Sequence, residues 1–71
     1  MKRYGIVIEK GPGNYSAYVP DLPGCVSTGR TIEELRRNIQ EAIELHLDGL
    51  RRDGDPIPPP TTVFEFIEAA A

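Results

Sequence analysis

Seventy-one residues, 39% hydrophobic and 27% charged, suffice for one small domain, and folding at this length buries only about 60% of the unfolded chain's surface. The single cysteine, Cys25, excludes an internal disulfide, and no cysteine and histidine set stands at metal-ligand spacing, so stability rests on packing and assembly. A net charge of -3 and a pI near 5.0 argue against a surface that neutralises phosphates and favour a basic partner over nucleic acid.

The chain opens with two charges and a short apolar patch, too brief for the core of a signal peptide. No apolar run approaches the roughly 20 residues that span a bilayer. The expectation is a cytoplasmic protein without membrane contact. Tyr4 to Glu9 alternates, with Tyr4, Ile6 and Ile8 on one face and Val7 and Glu9 on the other, which predicts a strand. Gly11-Pro12-Gly13-Asn14 supplies a turn, and Tyr15 to Val19 then pairs antiparallel with the first strand. Pro20-Asp21-Leu22-Pro23-Gly24 is a structured loop, because its two prolines remove ladder donors and Gly24 permits a conformation closed to most residues. Cys25 to Thr28, rich in β-branched residues and cut off by Gly29, predicts a third strand and completes a meander.

Thr31-Ile32-Glu33-Glu34 fits a capping box and starts a helix. Ile32, Leu35, Ile39, Ala42, Ile43, His46, Leu47 and Leu50 recur at three- and four-residue steps and define a stripe that lies on the sheet. Glu33 with Arg37 and Asp48 with Arg52 are spaced to pair on the opposite face, and Gly54 followed by Pro56 ends the helix. Asp55 to Pro60 must be extended, since proline before proline excludes the helical region. Thr61 to Glu68 reads as a fourth strand, apolar on both sides, and Ala69 to Ala71 as a frayed end. The fold class is therefore α+β, in the order strand, strand, strand, helix, strand. One helix covers one sheet face. Val7, Tyr18, Val26 and one side of the last strand lack an internal cover, which implies a homodimer, a tetramer or a bound partner.

The run Tyr15-Ser16-Ala17-Tyr18-Val19-Pro20-Asp21-Leu22-Pro23-Gly24-Cys25, followed by Gly29-Arg30-Thr31-Ile32-Glu33-Glu34 and by Ile57-Pro58-Pro59-Pro60, resembles the HicB antitoxin family over nearly the whole chain. The resemblance implies a degraded RNase H-like fold whose final strand lies parallel to the first. It also implies a protein that binds and neutralises HicA, a small basic toxin that cleaves RNA with a histidine. Longer relatives carry a C-terminal DNA-binding domain. The expectation here is a single domain over residues 1–68 with a tail at 69–71, no such added domain, and no direct nucleic-acid binding.

The residues proposed to meet the toxin are Asp21, Leu22, Pro23 and Gly24 on the loop and Glu33 and Glu34 at the helix start. A rigid loop loses little entropy on binding, although Asp21 between two prolines also suits capping of its own loop. Two-metal hydrolysis needs several carboxylates converging on paired ions, whereas Glu9, Glu65, Glu68 and Asp21 are scattered, so no catalytic residue, metal or cofactor is assigned. Cys25 without a basic neighbour reads as a small buried apolar group, and His46 as a core-edge residue of the helix stripe. The alternatives are a residual metal-dependent RNase H-like nuclease and an orphan homologue that only self-associates.

Overall fold

The alternating first half folds into a three-stranded antiparallel sheet of order β1-β2-β3, formed by β1 (Val7–Gly11), β2 (Asn14–Tyr18) and β3 (Val26–Gly29). The computed structural model describes residues 2–71; Met1, with which the predicted domain begins, lies outside them. Gly11 pairs with Asn14, leaving Pro12 and Gly13 as the turn, and the φ of +79° at Gly13 after a proline is the pattern of a type II turn. Val7 faces Tyr18, which in turn faces Val26, while Tyr15 faces Gly29.

β1 begins at Val7 and not at the predicted Tyr4. Continuing the register would set Gly5 opposite Pro20, which has no N–H to donate, and the Val19 N–H is already directed at the Cys25 carbonyl at 3.0 Å. Residues 2–6 are thus left without a ladder partner on this side. Loop residues 19–25 close on themselves instead, with Leu22 N–H donating to Val19 O and Cys25 N–H to Leu22 O, each at 3.0 Å. Gly24 takes a φ of +84°.

A single helix, α1 (Ile32–Asp53), follows β3 and turns back along it. The Glu34 N–H donates to Thr31 Oγ1 at 3.0 Å, so one half of the predicted capping box forms. At the other end Gly54, at φ +72°, donates to Arg51 O at 3.2 Å and Asp55 N–H to Leu50 O at 2.9 Å, the two bonds of a Schellman motif. On the exposed face the predicted Asp48–Arg52 pair is replaced by Arg51 Nη1 to Asp48 Oδ1 at 3.0 Å, one residue closer. Glu33 and Arg37 form no ion pair among the described residues.

Ala17, Val19, Leu22, Cys25, Leu35 and Ile39 form the buried core, with Tyr4, Ile6, Tyr15, Ala42, Ile43 and Leu47 packed around it. Along β2 and into Val19 the alternation is as read from the sequence, with Tyr15, Ala17 and Val19 turned into the core, whereas in β1 Ile8, read on the same face as Tyr4 and Ile6, is exposed. Gly29 is buried because a Cβ there would stand 2.6 Å from the Leu35 N, so β3 and α1 touch backbone to backbone. The helix lies closest to β3 and β2, with β1 farther from it. Its 22 residues span about 33 Å against about 17 Å for a five-residue strand, so its C-terminal half overhangs the sheet. The stripe residues Ile43, His46, Leu47 and Leu50 are accordingly only half-buried.

Residues 55–71 carry no regular secondary structure, so the fourth strand expected over Thr61 to Glu68 is not formed with this chain's own sheet. Three tethers explain its path. Tyr4 Oη donates to Pro58 O, the Thr61 and Thr62 hydroxyls donate to Asp21, and the Phe64 ring occupies the place of a Gly5 side chain. These contacts hold the segment beyond the end of β1 and not alongside it.

Candidate partner-binding site

Asp21, Pro23 and Gly24 sit on the loop that leaves β2 at Tyr18, whereas Glu33 and Glu34 sit where the chain leaves β3 at Gly29. Tyr18 pairs with Val26 and Tyr15 with Gly29, so the two groups lie at opposite ends of the sheet, on the order of 10 Å apart along the strands. The six residues do not form one patch.

Within the loop, burial divides them again. Leu22 is 0% exposed and belongs to the core, which corrects its assignment as a contact residue: the motif's leucine is the plug that fixes the loop, and its neighbours Pro23 and Gly24 are what it displays. Asp21 is engaged with its own chain. It accepts from Thr62 Oγ1 at 2.7 Å, from Thr61 Oγ1 at 3.2 Å and from the Thr62 N–H at 3.2 Å. The Thr62 hydroxyl foremost, outweighing desolvation and joined by the Thr62 amide and Thr61, holds the Asp21 carboxyl below its ordinary value. Asp21 is expected either to meet the partner or to cap its own loop; the hydroxyls it accepts from lie 40 and 41 residues away. No local pattern names a partner at that distance.

At the helix start, Glu33 is exposed and Glu34 half-buried beside the Pro12-Gly13 turn and Arg30. The helix macrodipole favours both carboxylates there. Cys25 is 3% exposed, and burial pushes its thiol up, away from the reactive thiolate. Among the described residues no three His, Cys, Asp or Glu side chains group as metal ligands would, and no helix is long and apolar enough to cross a membrane.

The structure adds a feature on the sheet face away from α1. Val7, Tyr18 and Val26 stand in one cross-strand row, Tyr18 at 42% and Val26 at 63% exposure, and Phe64 over Gly5 lies at the same end of the sheet. Tyr18 and Val26 are exposed as the alternation predicts, whereas Val7 is half-buried, and the register sets the three side by side.

Comparison with known proteins gives this arrangement a context. In a solved HicA3 and HicB3 toxin-antitoxin complex, one chain superposes with a TM-score of 0.72 and 35% identity, covering 83% of this chain and 70% of that one. A UPF0150 protein of Helicobacter pylori is 57% identical over 47 residues, 66% of this chain and 65% of the relative. An uncharacterized 14.9 kDa protein of the rep-hol intergenic region of Haemophilus phage HP1 is 39% identical over 64 residues, 90% of this chain. The match spans about half of the phage protein, 48% of its length. The family model for the HicB-like antitoxin of bacterial toxin-antitoxin systems matches residues 4–71, and the chain belongs to that family.

Proposed function

We propose that this chain is an antitoxin that binds a small basic HicA-type RNA-cleaving toxin in the cytoplasm and masks its active surface without performing chemistry of its own. The observation that carries this reading is the likeness, at 35% identity and over 83% of the chain, to a protein in a HicA3 and HicB3 complex. The net charge of -3 supports it, because an acidic surface steers a basic partner and speeds encounter. The contact residues are Pro23 and Gly24 on the loop, Asp21 beside them through its hold on Thr61 and Thr62, and Glu33 and Glu34 at the far end of the sheet. Since the two groups are separated, a toxin engages one of them or lies along the strands between them. In this reading residues 1–68 are one domain with 69–71 as its tail, and the chain assembles as a dimer or tetramer.

The test is to purify the chain with the small basic protein encoded beside it. Co-elution and suppression of RNA cleavage are expected, with at least tenfold weaker binding for Glu33→Gln with Glu34→Gln or for Pro23→Glu, whichever end is used. Cleavage that continues undiminished in the presence of the intact chain overturns the reading. A second reading, a homologue that only self-associates, is favoured by the exposed Tyr18 and Val26 row, and the same experiment separates the two.

A further inference from the structure

Among the described residues, two segments outside the sheet have no ladder partner, and both lie at the same end of it. One is residues 2–6, continued by the free edge of β1; the other is residues 61–68. The second segment exposes four large apolar side chains in five residues: Val63 at 80%, Phe64 at 45%, Phe66 at 98% and Ile67 at 87%. Such a segment is a strand awaiting a sheet edge.

The edge has the matching chemistry. In an extended segment Phe64 and Phe66 share one side and Val63 and Ile67 the other. Beside β1 the two sides of the sheet also differ, and each offers an apolar neighbour. Val7 belongs to the outer row, and Ile8, opposite the buried Ala17 on the inner face, is 39% exposed where α1 lies nearer to β3 and β2. A strand added at this edge would set one apolar pair against Val7 and the other against Ile8. Charge agrees as well: residues 61–71 carry Glu65 and Glu68 and no base, whereas residues 2–10 carry Lys2, Arg3 and Lys10 against Glu9.

We infer that residues 63–67 of one copy add as a strand to the free β1 edge of a second copy, reciprocally, about a two-fold axis. The occupant is a second copy because the chain carries both the strand and the edge it fits, so an isologous pair satisfies both at once. The chain's own edge is not used, since the Asp21, Tyr4 and Gly5 tethers carry the segment past the end of β1. The inference rests on the reading that the chain self-associates and names the segment that does it.

Light scattering on the full chain and on Phe66→Glu with Ile67→Glu tests it, together with isotope-filtered NMR on a mixture of differently labelled copies. Both residues are exposed, so the variant keeps the circular dichroism of the parent. The expected result is a dimer whose dissociation constant rises at least tenfold in the variant, with Ile67-to-Ile8 methyl contacts that are intermolecular. A dimer that persists unchanged in the variant, or contacts that are only intramolecular, overturns the exchange while leaving self-association standing. A full chain that is monomeric at high micromolar concentration overturns both.

Discussion

Residues 19–25 and residues 55–71 both lack regular secondary structure, yet the first is fixed and the second is largely displayed. The difference lies in what each sends inward. The loop buries Val19, Leu22 and Cys25 and closes with three backbone hydrogen bonds, so its order is part of the core. The tail holds on by Tyr4, by two threonines on Asp21 and by one aromatic ring, and leaves Val63, Phe66 and Ile67 in solvent. Burial of a leucine contributes about 1.5–3 kcal/mol, whereas a typical hydrogen bond contributes about 0.5–1.5 kcal/mol net. In a small domain, proline-rich backbone is rigid where an apolar anchor is provided and adaptable where it is not.

The strongest way to break this contrast is Leu22→Ala, which should cost about 2–5 kcal/mol and turn the loop into a second tail. Denaturant unfolding measures the loss, and rapid exchange of the Cys25 amide reports the loop; a loss under about 1 kcal/mol would show that the leucine is not its anchor. Next in size is Gly29→Val, which places a Cβ against the Leu35 backbone and forces β3 away from α1, at about 1–3 kcal/mol by thermal unfolding. Gly5→Leu sharpens the contrast from the other side. Its side chain takes the place of the Phe64 ring, so the aromatic tether is released while the unfolding midpoint moves by less than the other two substitutions move it. The smallest effect is expected from pH. Asp21 is held below its ordinary value in the folded chain, so its contribution is complete above the carboxylate range and is lost as pH falls through the lowered folded value. Exchange of the Thr62 amide should therefore be constant near neutrality and rise, after correction for intrinsic rates, only in acid, and Asp21→Asn should remove that dependence.

What could be read from the sequence follows the same division. The antiparallel pairing of the first two strands, the Thr31 cap, the Gly54 stop and the uncovered Tyr18 and Val26 are local or periodic signals that the structure realises, whereas the alternation does not hold in β1, where Val7 is half-buried and Ile8 exposed. The prolines and glycine of the loop specify an ordered turn, but turn chemistry does not say which side chain points inward, so it does not single out Leu22. The fourth strand failed for a different reason. β-propensity over Thr61 to Glu68 describes a segment that fits a pleated surface, and it does not say whose. The Asp21 contacts with Thr61 and Thr62 depend on how the chain returns after α1, which no window of neighbouring residues contains.

The left-handed turn at Gly54 has one more consequence. Because α1 is closed at both ends by fixed caps, its count of 22 residues sets the compass heading at which the proline stretch departs. Inserting a single alanine in the overhanging half would swing that departure by about 100° and advance it by about 1.5 Å. Tyr4 and Asp21 would then meet empty space, with every core residue still in place. The length of the helix thereby acts as a gauge that aims the end of the polypeptide.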